Sequence, residues 1–194
     1  TNGALCVEGP ESEFTYVHPD CATGASLHWQ WAMKYKATAE ADAGGTVSTG
    51  EAWVADGDVF SVTATPTTGM AFRRWRDAAG NTVSTAAELS VPVAAPVALT
   101  AEFGQLIEIT SGNDDDAVTI NAAIQSAPEG AVVHLADGTY NLTAPIVLDR
   151  PVTLVGNVED RTKVVLDGAG AYRLLEVSDE QALACGMTFE RGYS

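Results

Sequence analysis

Between residues 60 and 65 apolar and polar positions alternate, with Phe60, Val62 and Ala64 on one parity and Ser61, Thr63 and Thr65 on the other. Val97, Leu99, Ala101 and Phe103 alternate in the same way with Ala98, Thr100 and Glu102. A period of two predicts strands with one buried and one wet face. Gly44-Gly45, Asp56-Gly57, Pro66 to Gly69 and Gly80-Asn81 interrupt these runs with turn residues. Residues 34–104 therefore read as a small antiparallel sheet module. It follows a segment, 1–33, in which Gly, Pro, His and aromatics mix without a period.

After residue 104 the pattern changes. Ile120, Ala123, Ile124 and Ala127 share one face of a helix expected over 117–127. Asp116 is placed to cap it, acidic neighbours complement its dipole, and Pro128 and Gly130 end it. A Ca²⁺ loop is the sharper reading of Asp114-Asp115-Asp116, but the run lacks spaced ligands and a bidentate Glu, so capping is preferred. Short apolar strands follow at 132–135, 146–148, 152–155, 164–166, 174–177 and 187–189. Val152/Leu154 recurs as Leu175/Val177, Val164/Leu166 as Met187/Phe189, and Asp167 as Glu190, each 23 residues on. Such a period, built only from short strands, predicts the coils of a parallel β-solenoid over 105–194.

Two resemblances rest on longer motifs. Gly45-Thr46-Val47, the run Gly57 to Pro66 (GDVFSVTATP), Gly69-Met70-Ala71-Phe72 through Trp75, and Leu99-Thr100-Ala101-Glu102-Phe103 resemble a divergent internalin-type B repeat. Met70 departs from the Tyr usual at that place. The resemblance implies a β-grasp-like spacer module of bacterial surface proteins, with no catalytic residues to carry over. Downstream, Asp116 to Ala127, Gly130 to Leu135, Asp137-Gly138-Thr139-Tyr140 and Val152 to Gly156 resemble the N-terminal cap and first coils of a pectin-lyase-like right-handed β-helix. That family implies an extracellular fold used by polysaccharide lyases, glycoside hydrolases and non-enzymatic adhesins. No catalytic position of the family can be matched here. The expected fold class is thus mostly β: a small antiparallel β-grasp-like repeat domain plus the start of a right-handed parallel β-helix capped by one short α-helix.

Composition narrows the partners. The 194 residues carry 26 Asp+Glu against 10 Lys+Arg, a formal charge of −16. Clustered basic charge for phosphate is lacking, which argues against nucleic acid and anionic membranes. The longest apolar run, Val91 to Leu99, holds Pro92 and Pro96 and is too short to span a bilayer. The chain opens on Thr1 without a signal-peptide pattern, which reads as a mature or excised piece. Cys6 and Cys21 could form a local disulfide in an exported protein or stay free thiols, and Cys185 reads as a small buried hydrophobe. The three cysteines with His18, His28 and His134 do not fall at zinc-ligand spacing.

Candidate chemistry is sparse. Asp167 and Glu190, one coil apart, would stand about 4.8 Å from each other. Their repulsion could be relieved by a cation, with Asp149 nearby, by protonating one of them, or by splaying into solvent. Arg73, Arg74 and Arg76 could grip an acidic polysaccharide with Trp75 stacking on a sugar. The preferred reading makes Trp75 core and leaves the arginines solvating an open strand face. Trp29 and Trp31 could line a glycan platform or plug a seam, with the seam preferred. Gly44-Gly45 and Gly168-Ala169-Gly170 lack the Lys-Ser/Thr of a phosphate loop. The sequon Asn141-Leu142-Thr143 is expected to be silent in a bacterial chain.

These observations predict a non-catalytic segment of a secreted or cell-surface bacterial protein, a spacer plus β-helix start that serves adhesion or glycan contact. The alternative is the N-terminal part of a polysaccharide lyase or glycoside hydrolase whose active coils lie beyond residue 194. No catalytic, cofactor or metal residue is assigned. The expected partner is an acidic or neutral polysaccharide. The apolar C-terminal β-helix face is expected to continue in a longer solenoid or, in isolation, to self-associate, to be covered by the segment around Trp29 and Trp31, or to be poorly ordered.

Overall fold

The computed structural model describes residues 32–193. Eight strands open it: β1 (Lys34–Ala41), β2 (Gly45–Val47), β3 (Glu51–Ala55), β4 (Val59–Pro66), β5 (Met70–Asp77), β6 (Thr82–Ser84), β7 (Glu88–Pro92) and β8 (Val97–Ile109). β3, β1, β8, β5 and β6 make one sheet, and β2, β4 and β7 another. Between them lies a core of Ala37, Ala39, Phe60, Val62, Ala64, Trp75, Leu99, Ala101 and Phe103. The alternation at 60–65 is thus the inward face of β4, with Val59 and Ser61 turned to water. Most pairings are antiparallel, but the first and last strands, β1 and β8, run parallel, with Ala37 beside Val97 and Ala41 beside Ala101.

The second half contains helix α1 (Asp116–Ser126) and strands β9 (Val132–Leu135), β10 (Gly138–Asn141), β11 (Ile146–Leu148), β12 (Thr153–Val155), β13 (Val164–Asp167), β14 (Leu175–Val177), β15 (Leu183–Cys185) and β16 (Thr188–Glu190). They stack in parallel as β9-β12-β15, β10-β13-β16 and β11-β14, the three walls of a β-helix. The interior holds Val133, Leu135, Tyr140, Ile146, Leu148, Leu154, Val164 and Leu166, and α1 closes it with Ile120 and Ile124.

The coils do not share one period. Asp167 and Glu190 stack as expected, 23 residues apart. Leu175 and Val177, however, lie on Ile146 and Leu148, not on Val152 and Leu154. Thr153 follows Val132 by 21 residues, and Leu183 follows Thr153 by 30. The expected match missed β10 and β15, short strands whose neighbours include a single-turn helix at Arg161–Lys163 and a turn at 168–173. Such turns add residues to one coil without disturbing the wall strands.

One strand belongs to both halves. β8 pairs with β5 from Leu99 to Gln105, and then with β9 from Leu106 to Ile109. Leu99, Ala101 and Phe103 face the first core, and Ile107 and Ile109, on the same parity, face the second. The boundary expected after residue 104 therefore falls inside a continuous strand.

Candidate functional site

The arginine run lies on β5, and a bulge between Phe72 and Arg74 sets the direction of its side chains. Trp75 is fully buried and donates its indole N–H to the Ala87 carbonyl (3.2 Å). The arginines were expected on an open face, yet Arg73 and Arg74 are also buried. The cause is Glu102 on β8, whose carboxylate gathers all three cations. Arg74 Nε lies 2.6 Å away, Arg76 Nε 3.1 Å and Arg73 Nη1 3.5 Å. Charged groups enter a low-dielectric site only when paired in this way. Arg74 also donates to Thr82 Oγ1. Arg73 reaches the β-helix, donating to Thr153 Oγ1 (3.0 Å) and to the Gln181 carbonyl (2.6 Å). Burial and the neighbouring Arg74 charge lower the Arg73 pKa. The cluster is built as a joint, and only Arg76 keeps substantial exposure, at 40% of its side chain.

The carboxylate pair of the β-helix is likewise committed. Arg191, at φ +49°, turns back onto Asp167. Its Nε donates to Asp167 Oδ1 at 2.8 Å, and its Nη2 pairs with Oδ2. That bond, with a further one from the Ala169 amide, holds the Asp167 carboxyl below the usual carboxylate range. The repulsion expected between Asp167 and Glu190 is thus answered by a residue of the chain itself, one position beyond Glu190. Asp149 accepts from Gln125 Nε2 on α1. Among the described residues no group of three or more His, Cys, Asp and Glu side chains is arranged to hold a metal ion.

The Asp run caps the helix, one residue earlier than expected. Asp115 is the N-cap and accepts from the Val118 amide, while its other oxygen accepts from Thr143 Oγ1. These bonds lower its pKa, Thr143 most. Asp116 begins the helix instead, buried, and accepts from the Asn113 and Asn141 amides.

Several apolar side chains face water, among them Trp53 and a group at the last coil. Trp53 on β3 is 65% exposed and stands across from Lys36, which is paired with Glu51 at 3.0 Å. The alternation Ala52-Trp53-Val54 gives no hint of it, because Trp53 takes the outward parity usually held by polar residues. At the last coil Val177, Phe189 and Tyr193 are exposed by 54%, 47% and 67%. Beside them a shallow depression is lined by Arg161, Thr162, Met187, Thr188 and Phe189. Cys185 is half-buried, and burial raises its thiol pKa. His134 pairs with Glu108 at 2.7 Å on the outer surface. Cys6, Cys21, His18, His28, Trp29 and Trp31 lie outside the described residues.

Residues 35–106 match the family model of the divergent InlB B-repeat domain. Residues 107–187 match that of the rhamnogalacturonase A/epimerase, pectate lyase-like domain. No curated protein and no solved structure matches the chain. Among the described residues no helix is long and apolar enough to cross a membrane.

Proposed function

We propose that this chain, in which a divergent InlB B-repeat is followed by a pectate lyase-like domain, is a non-catalytic segment of a secreted or cell-surface bacterial protein. The repeat serves as spacer, and the β-helix start serves adhesion or glycan contact. The observation that carries this reading is the commitment of the two buried β-helix carboxylates, Asp116 and Asp167, and of the helix-capping Asp115. Asp167 is held by Arg191, Asp115 by Thr143 and the Val118 amide, and Asp116 by two further amides. A general acid or base needs a proton it can exchange with substrate, and these groups face structural donors.

Trp53 is the described residue best suited to stack on a sugar ring, since an exposed indole presents a flat apolar face beside polar neighbours. The last coil, with Val177, Phe189 and Tyr193 exposed, pairs with a second copy or continues as a longer solenoid. The match to a rhamnogalacturonase A/epimerase family favours a second reading, the N-terminal part of a polysaccharide lyase or glycoside hydrolase. One experiment separates the two. The full chain is titrated with oligogalacturonates and neutral plant oligosaccharides, while unsaturated-uronide absorbance and reducing ends are followed. Binding without turnover, weakened about tenfold or more by Trp53→Ala, is expected. Rising absorbance or new reducing ends would instead establish the enzyme.

A further inference from the structure

We propose that the repeat supplies the β-helix with its first wall strand, so that the two matched domains fold and unfold as one unit without a hinge. This goes beyond the reading above and does not depend on glycan contact.

The junction leaves no free backbone. Gln105 is paired with Met70, and the next residue, Leu106, is paired with Val132 while its amide donates to the Gly69 carbonyl at 3.0 Å. A linker would show residues whose backbone bonds go to water. The β-helix also depends on what β8 brings. Ile107 and Ile109 enter its core, and the Ile109 carbonyl accepts from both the Ala136 amide and the buried Tyr140 hydroxyl. Without β8, strand β9 would have a bare edge and Tyr140 would lose one of its two acceptors.

Packing closes the same joint from two more directions. A Cβ at Gly104 would fall 1.9 Å from the Gly130 carbonyl oxygen, so the turn before β9 sits directly on the β8 backbone. Arg73, from β5, passes its guanidinium to Thr153 on β12 and to the carbonyl just before β15, while still touching Glu102. It therefore fastens the repeat to the third strand of the wall that β8 begins and to the turn that enters the fourth. Without β8 the walls stack three, three and two strands, at the margin of the roughly three repeats that such folds need. With β8 the wall has four strands, β8-β9-β12-β15.

Hydrogen exchange of the full chain across a urea series, read by mass spectrometry of peptides, tests this. Peptides holding Phe60 to Ala64 and peptides holding Leu154 and Leu166 should lose protection at one shared midpoint. Arg73→Met should move both midpoints down together and raise exchange in both halves by about tenfold. Should that variant not fold, Thr153→Val removes only the hydroxyl acceptor and should move both midpoints together by a smaller shift. Separate midpoints in the unaltered chain would overturn the proposal. So would an Arg73 or Thr153 variant that loosens one half and leaves the other as it was.

Discussion

Tyr140 shows how far one polar group can be drawn into the β-helix core. Its ring is fully buried, and its hydroxyl lies 2.9 Å from the carbonyl oxygens of both Ile109 and Ala136. Burial, seconded by the negative charges of Asp116 and Glu108, pushes its pKa up to about 12. An unfolded phenol titrates at about 10. The folded-state pKa is the raised one, so the phenol's contribution is complete below about pH 10 and is lost as pH climbs towards 12. Tyr140→Phe should cost about 1–3 kcal/mol at pH 7, because the Ala136 carbonyl loses the hydroxyl and the Ile109 carbonyl keeps only the Ala136 amide. The same variant should show a flatter fall of the urea midpoint between pH 9 and 11. A parallel fall in both proteins would place the alkaline loss elsewhere.

At the scale of elements, α1 acts as a substitute coil. Its Asn121 side chain accepts from the Val147 amide and donates to the Pro145 carbonyl, both at 2.9 Å. Asp116 takes the Asn141 amide in the same fashion. Side chains of the helix thus answer backbone groups of β10 and β11 that a preceding coil would otherwise bond. Asn121→Ala should lower stability by about 1–3 kcal/mol in urea denaturation. Asn121→Asp, which keeps the acceptor for Val147, should lower it less. If both variants match the unaltered chain, the helix seals the end by its isoleucines alone.

Elements also show where pattern reading succeeds and where it stops. Phe60, Val62 and Ala64, and Ile120 and Ile124, are legible because their periods are local and their burial follows from them. The strand at Gly138–Asn141 was not, since Tyr140 is its only large apolar residue and a period needs two. The joint was hidden for another reason. Arg73 meets its acceptor 80 residues away, and β8 changes partners without changing conformation, so no local signal marks either. Arg191 answers Asp167 only because a turn brings it back, which spacing along the strands does not reveal.

For the whole molecule, charge sets the conditions under which copies can meet. The chain carries −16, and like-charged molecules repel over a Debye length of about 30 Å at 0.01 M salt and about 8 Å at 0.15 M. Pairing through Val177, Phe189 and Tyr193 should therefore strengthen as salt rises, opposite to what ion pairs across an interface would do. Sedimentation equilibrium over that salt range should show a growing dimer fraction, reduced by Phe189→Ser. A monomer at every salt concentration would rule out pairing of two copies at that face.

Strand β8 also decides where nature or an engineer can cut. Family boundaries suggest that one repeat could be exchanged for another by joining sequences at 106/107. Such a splice would divide a single ladder and discard the residues matched to it: Gly104 against Gly130, Arg73 against Thr153. A transferable cassette must carry both partners, and so it runs from β1 through at least β15. Recombination that respects only the family borders should yield insoluble chimeras, whereas swaps of the turns at 78–81 or 168–173 leave the ladder whole.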